Sequence, residues 1–381
     1  MFVDKKMKKM KKILIVLLVA IGFSNCRKDP SIVNHEEVEV QPDSMLGSGF
    51  YLLNEGNMGM NKASLDFYDF KTGVYKRNIY NEINPAATKE LGDVGNDIQI
   101  YGAKLYAVIN MSDKVEVLQA YTAKKIGQIN IPNCRYVTFA NGKAYVSSYA
   151  GIVGDANAPE GFIAEIDTAS LQIIRKVTVG RQPEEMAVVN NKLYVANSGG
   201  YSPPNYERTV SVIDLATFKE AKRIDVAINL HHIKKDNYGN LFVTSRGDYY
   251  DIHSNLFVID TRTDKVTDSF NIAAENIYIQ GDSAYVYSVE WSYVTNDNVT
   301  SYALINVPEK QIISKNFIAD SLQKQIKIPY GLAVNGTNGD IYVTDAKDYV
   351  TPGTVHCFDR AGRRRWSVTA GDIPAHFAFL P

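Results

Sequence analysis

The sequence predicts an all-β fold: a seven-bladed β-propeller with four-stranded blades, its ring closed by the C-terminal strand. Three observations carry that prediction. First, an apolar pair ending in an aromatic recurs seven times, at spacings of 39 to 57 residues: Phe50-Tyr51, Leu105-Tyr106, Ala144-Tyr145, Leu193-Tyr194, Leu241-Phe242, Ala284-Tyr285 and Ile341-Tyr342. Second, turn strings such as "ANGK", "NYGN" and "TNGD" precede most of these pairs, and strands ending in an acidic or turn residue follow them ("IAEIDTAS", "VSVIDLAT", "LFVIDTRT"). Third, no long segment carries helical periodicity. Short strands broken by Gly, Asn and Asp, four to a period of roughly 40–50 residues, mark propeller blades. One blade cannot bury its own faces. A ring of seven can, and it leaves only short, protected edges.

The elements follow in chain order. "MFVDKKMKKMKK" is basic, "ILIVLLVAIGF" is apolar and too short to span a bilayer, and "SNC" follows. Residues 1–25 therefore read as a lipoprotein signal peptide, with cleavage before Cys26 and lipidation of its thiol. Phe23 and Asn25 depart from the usual box, which favours Leu and a small residue there. Residues 26–48 are polar and acidic without either structural period and read as a flexible tether. Residues 49–381 hold the propeller. Its first unit lacks an inner strand before Tyr51, and the tail "PAHFAFL" looks like an inner strand with no blade after it. The tail is therefore expected to complete blade one.

Loss of residues 1–25 removes six Lys and one Asp. It leaves 35 basic against 41 acidic residues, a net charge of −6. A mildly acidic domain argues against a nucleic-acid partner. Beyond Cys26 only Cys134 and Cys357 remain, which is no disulfide framework. Both read as small buried hydrophobes. There is no GxSxG, Walker loop, HExxH or CxxC, and no enzymatic activity or cofactor is expected.

Within each blade the strands run a to d from the axis to the rim. The b–c loops and the blade-to-blade d–a loops share one face. The b–c loops are long ("NEGNMGMNK", "SYAGIVGDANAPEG", "NSGGYSPPNYER", "SRGDYYDIHS", "SVEWSYVTNDNVT", "DAKDYVTPG"), whereas the a–b turns opposite are tight. One face is elaborated, and function concentrates on such loops. Three residues beyond each anchor aromatic stand Asn54, Ile109, Ser148, Asn197, Ser245, Ser288 and Asp345. Six of the seven are small and polar. They cap the turn, or they ring the channel mouth with hydrogen-bonding groups, or both.

The chain has 24 Tyr against 2 Trp, and Tyr149, Tyr201, Tyr206, Tyr249, Tyr250, Trp291, Tyr293 and Tyr349 all fall in b–c loops. Some are expected to pack their own loops. The rest would present rigid aromatic faces with polar tips. Arg135, Arg181, Arg208, Arg246 and Lys347 sit among them. His231-His232 are expected to diverge, one structural and one exposed, rather than pair on a metal. Asp97, Glu55, Asn197 and Asp345 could in principle converge on Ca²⁺, although no spacing enforces it.

Over Phe50–Leu380 the chain resembles the YncE-like seven-bladed propellers. More specifically, it looks like the BtuG-type cobalamin-binding surface lipoproteins of gut Bacteroidetes. The stretches that carry the resemblance include "LLNEGNMGMNKASLDFYDF", "ELGDVGNDIQIYGAKLYAVIN", "IPNCRYV", "KLYVANSGGYSPPNYERTVSVIDL", "RGDYYD", "EWSYVT", "TDAKDYVTPGT" and "GDIPAHF". The resemblance implies a lipoprotein on the outer face of the outer membrane. It would capture cobalamin (vitamin B12) and related corrinoids and pass them to a TonB-dependent transporter. Loop position supplies the candidate ligand-binding residues: Asn54, Tyr149, Asn197, Tyr201, Tyr206, Arg246, Tyr249, Trp291, Tyr293, Asp345 and Tyr349. Two alternatives stand beside this reading. One is a surface propeller for a glycan or siderophore, and the other is a Ca²⁺-dependent propeller hydrolase or lactonase.

Overall fold

The computed structural model describes residues 35–37, 49–87, 90–151, 157–200, 203–292, 296–319 and 321–380. Every anchor aromatic lies on the second strand of its blade and is buried. The rings fill the space between neighbouring blades, and some of their hydroxyls tie the blades together. Tyr51 donates to the Ala120 carbonyl of the next blade at 2.6 Å, and Tyr194 to Asp264 at 2.6 Å. A large apolar face with a polar tip suits a seam that ends at a turn.

Six sheets hold four consecutive antiparallel strands each, the first of them opening with β5 (Gly95–Tyr101) and the last closing with β28 (Arg364–Thr369). The seventh, blade one, runs from the outside inward as β1 (His35–Glu37), β4 (Val74–Lys76), β3 (Ser64–Asp69), β2 (Gly49–Asn54) and the C-terminal β29 (Pro374–Leu380), so that β2 pairs with β29. The tail thus completes blade one as expected. Phe50 sits 5.3 Å from Phe377 and 5.0 Å from Tyr342 of blade seven, so the closure is also an aromatic cluster. Within the stretch read as a tether, β1 (His35–Glu37) pairs with β4 (Val74–Lys76) as a fifth, outermost strand. Cys134 and Cys357 are buried free thiols.

Bulges in the innermost strands position the site. In β9 (Cys134–Ala140), β13 (Pro183–Val189), β17 (Leu230–Lys235) and β25 (Pro329–Val334), two residues oppose one on strand b. One-residue register shifts also occur in β5 (Gly95–Tyr101) and β29. A bulge re-aims side chains and leaves an amide without its ladder partner. Hydroxyls on strand b satisfy three of those amides. Ser147 accepts from the Tyr136 N–H at 3.1 Å, Thr244 from His232 at 3.0 Å and Thr344 from Gly331 at 2.6 Å.

Candidate functional site

The bulged positions bring adjacent polar residues together at the mouth of the central channel. The mouth is a cavity of about 380 Å³ whose lining includes Glu55, Asn96, Arg135, Tyr136, His231, His232, Arg246, Glu275, Asn276, Tyr330 and His376. Below it a second cavity of about 470 Å³ continues along the inner strands. The two share Tyr136, His232, Asn276, Ala375 and His376.

One arc of the mouth is built on Glu184. Its fully buried carboxylate accepts from Tyr149 Oη at 2.6 Å, Arg246 Nη1 at 3.1 Å and Arg135 Nη2 at 3.2 Å. Burial alone would raise its pKa, but the charges of Arg135 and Arg246 outweigh burial and hold it below the usual range. The Arg135 guanidinium also lies 4.8 Å from the Tyr149 ring centre. Next to this arc, Glu185 accepts from Lys234, from His232 Nδ1 at 2.9 Å and from the Ile233 amide at 3.1 Å. Burial works against its charged form, yet the Lys234 charge and the His232 bond bring its pKa down to about 2.

The expected divergence of His231 and His232 does not occur. Both lie on strand β17, and the bulge places their ring centres 3.7 Å apart. Neither is exposed. Burial, reinforced by the charges of Arg246, His232 and Arg135, holds His231 far below its ordinary pKa. His231 Nε2 is 2.8 Å from Tyr136 Oη, whereas its buried Nδ1 has no partner among the described residues. The tautomer carrying hydrogen on Nε2 is therefore favoured, because it leaves a bare acceptor rather than an unsatisfied N–H.

The facing arc belongs to blades six, seven and one. Glu55 accepts from Tyr330 Oη at 2.8 Å and lies 3.1 Å from His376 Nε2. The Tyr330 and Tyr349 rings meet edge to face, 5.9 Å apart. Glu275 is half-buried and accepts the Val289 amide at 3.1 Å. Burial raises its pKa.

The loop residues divide sharply. Asn54 and Asn197 are fully buried and used within the ring. Asn54 bonds Ser64 Oγ at 3.1 Å and the Gly371 amide at 3.1 Å, and Asn197 bonds Ser211 Oγ at 2.9 Å. Asp345 is buried and caps its own turn through the Ile328 and Lys347 amides, each at 2.9 Å. Ser148 and Ser245 bond the Pro132 and Ile228 carbonyls at 2.5 and 2.7 Å. Five of the polar positions beyond the anchors are therefore committed to capping and blade closure, and they do not ring the mouth. Strand ends there are sealed against the preceding d–a segment, although Asn197 Oδ1 is buried without a partner among the described residues. Tyr149, also buried, is the pillar behind Glu184. Of the four residues considered for Ca²⁺, Asn197 bonds through its amide nitrogen within its own blade and Asp345 is taken up by the Ile328 and Lys347 amides. Among the described residues, no group of three or more His, Cys, Asp or Glu is placed to hold a metal ion.

Tyr249, Trp291 and Tyr349 are exposed, at 62%, 53% and 41%. The loops bearing the two tyrosines are built alike. Asp248 accepts the Tyr250 and Ile252 amides, Asp348 accepts the Val350 and Thr351 amides, and the tyrosine after each Asp sits at a left-handed φ of 66° or 60°. A bulky residue held there is costly unless its surroundings fix it, and here the Asp caps do so. Trp291 stands on a hairpin that was expected to be loop: β22 (Ser283–Ser292) pairs with β23 (Asp297–Asn306) for ten residues each, with Trp291 opposite Asn298. Met58, Met60, Met111, Tyr250, Ile252 and Val350 are also exposed on this face. Together they form an apolar arc over blades five, six, seven, one and two. Tyr206 is half-buried, close enough to Tyr249 for that group to raise its pKa after burial does. Tyr201 and Tyr293 lie outside the described residues.

Sequence reasoning missed Glu184, Glu275, Tyr330 and His376 as lining or backing groups of one site, and considered Glu55 only as a Ca²⁺ ligand. The available signal was the dyad that opens each inner strand: Asn96-Asp97, Arg135-Tyr136, Glu184-Glu185, His231-His232, Glu275-Asn276, Tyr330-Gly331 and Ala375-His376. The Ser or Thr two residues beyond three of the anchors marks the bulge that turns the dyad inward.

Residues 48–370 match the family described as a domain of unknown function, DUF5074. The chain belongs to that family. No curated protein sequence matches this DUF5074 chain. Its fold is similar to that of a functionally unknown protein from Desulfotomaculum acetoxidans (TM-score 0.61, 11% identity, 87% of this chain and 99% of that one). It is also similar to a quinonprotein alcohol dehydrogenase-like protein from Bacteroides thetaiotaomicron (0.58, 15%, 88% and 79%) and to Kuenenia stuttgartiensis hydrazine synthase (0.56, 14%, 70% and 76%). At these identities the likeness is one of propeller fold. No helix among the described residues is long and apolar enough to cross a membrane.

Proposed function

We propose that this DUF5074 propeller is a lipid-anchored surface module that captures a corrinoid, cobalamin or a close relative, and hands it to a TonB-dependent transporter. The observation that carries the reading is the arc of exposed aromatic and apolar side chains on one face, Tyr249, Trp291 and Tyr349 foremost, set around a polar mouth. Contiguous exposed apolar surface rimmed by polar groups marks a binding site. The mouth alone, at about 380 Å³, is near the lower end of ligand pockets, which run from about 300 to 1,000 Å³. A corrinoid is larger than that. It would lie across the loops, with its ring face on the aromatics and a peripheral group in the mouth. The loop strings that resemble BtuG-type proteins support the same ligand class, and the basic–apolar–Cys26 start supports the anchor.

The test is calorimetric titration of the purified protein with cyanocobalamin. Tyr249→Ala, Trp291→Ala and Tyr349→Ala are compared with Tyr121→Ala, an exposed tyrosine on the opposite face. Loss of an aromatic anchor costs about 1–3 kcal/mol. Undiminished binding in all three would move the site elsewhere. Absence of corrinoid binding by the folded protein would end this reading in favour of a glycan or siderophore.

A further inference from the structure

Arg246 and Glu275 stand out among the charged groups of the mouth, because each is satisfied only from behind. Arg246 is held by one nitrogen, Nη1, on Glu184, and its side chain keeps 18% exposure into the cavity. Glu275 uses Oε2 for the Val289 amide and enters no described ion pair. They sit on neighbouring blades and line the same mouth, yet no ion pair joins them; burial raises the Glu275 pKa, and the Arg246 charge offsets only part of that. Glu55, by contrast, has both oxygens engaged.

We propose that Arg246 and Glu275 form a carboxamide-reading subsite. A primary amide of the guest would enter the mouth, its carbonyl oxygen accepting from Arg246 and its N–H₂ donating to Glu275. This rests on the corrinoid reading, since the rim of a corrin carries such amides. Charge balance selects the amide. Arg135 and Arg246 are matched by Glu184 and Glu275, and Glu55 adds a further carboxylate to the same mouth, so a neutral guest adds no charge to an already acidic lining. A carboxylate in the same place sets two acceptors against Glu275 and adds a buried negative charge without a new partner. An ammonium offers Arg246 no acceptor. A site built around one donor and one acceptor rejects the analogue that lacks either, because a buried partner is then left unpaired.

The experiment compares cyanocobalamin with each of its separated monocarboxylic acids, made by hydrolysing single rim amides, against wild type, Glu275→Gln and the Tyr121→Ala control. At least one monocarboxylate should bind wild type about tenfold or more weakly than the parent. Glu275→Gln, which can donate as well as accept, should narrow that ratio to about threefold or less, while Tyr121→Ala should leave it unchanged. Two results overturn the subsite: every monocarboxylate binding wild type as well as the parent, or a discrimination that persists in folded Glu275→Gln. The wild-type comparison needs no variant and so decides even if Glu275→Gln fails to fold. No binding of cyanocobalamin itself would instead refute the corrinoid reading.

Discussion

Glu184→Gln removes the charge on which the mouth is built while keeping the side chain's shape. In the native ring the two carboxylate oxygens accept from Tyr149, Arg246 and Arg135 at 2.6 to 3.3 Å, and the residue is fully buried. The glutamine amide would point an N–H₂ at one of these donors and leave two guanidiniums without their counter-charge. Breaking a buried pair by removing one partner costs about 3–5 kcal/mol. At about 2.1 cal/mol/K per residue, a ring of roughly 330 residues unfolds with an entropy of about 0.7 kcal/mol/K, so the melting temperature should fall by about 4–7 °C. Differential scanning calorimetry at neutral pH measures this directly. Arg246→Gln in the same background should cost less than it does in wild type, because its partner is already gone. A Glu184→Gln melt within about 1 °C of wild type, or fully additive double-variant losses, would refute the idea that this carboxylate holds the two arginines in place.

Three further outcomes follow from the same features. Deleting residues 374–381 removes the inner strand of blade one and its Phe377 and Phe379 contacts to Phe50; circular dichroism should show loss of the cooperative melt, and a transition close to wild type would contradict ring closure by the tail. Stability should fall with acid in two stages: His231 and His232 are held below their ordinary 6.5, so the unfolded chain takes up their protons first, and Glu184 and Glu185, held below 4.5, lose their contribution as pH drops further. Asp66 and Asp97, raised by burial, act in the opposite sense; a melting temperature that is flat from pH 7 to about 5.5 would contradict the first stage. Cys26→Ala should release the protein from the membrane fraction, and continued outer-membrane fractionation would refute lipid anchoring there.

The blade count and the closure were legible because they rest on periodic features: anchors such as Tyr194 and Phe242 must fill the same inter-blade space seven times, and "PAHFAFL" has no partner unless it returns to Phe50. The mouth was less legible for a physical reason. Simple alternation along a strand sends His231 and His232 to opposite faces, and only a bulge, invisible to period-two reasoning, sets them side by side. Asn54, Asn197 and Asp345 have the residue types of ligand contacts, but small polar side chains at strand ends serve capping equally well, and burial shows which role they fill. Tyr149 and Tyr249 both fall in b–c loops. Their roles differ because one finds a buried carboxylate within reach and the other is turned outward by its left-handed backbone and the Asp248 cap.

The most direct test of the functional account is titration calorimetry of cyanocobalamin into the purified protein. The account predicts saturable one-to-one binding that weakens when Tyr249, Trp291 or Tyr349 is replaced by Ala and changes little with moderate salt, since a neutral guest would be held by packing and hydrogen bonds rather than by ion pairs. No heat of binding from the folded protein, or binding indifferent to all three aromatics, would contradict it.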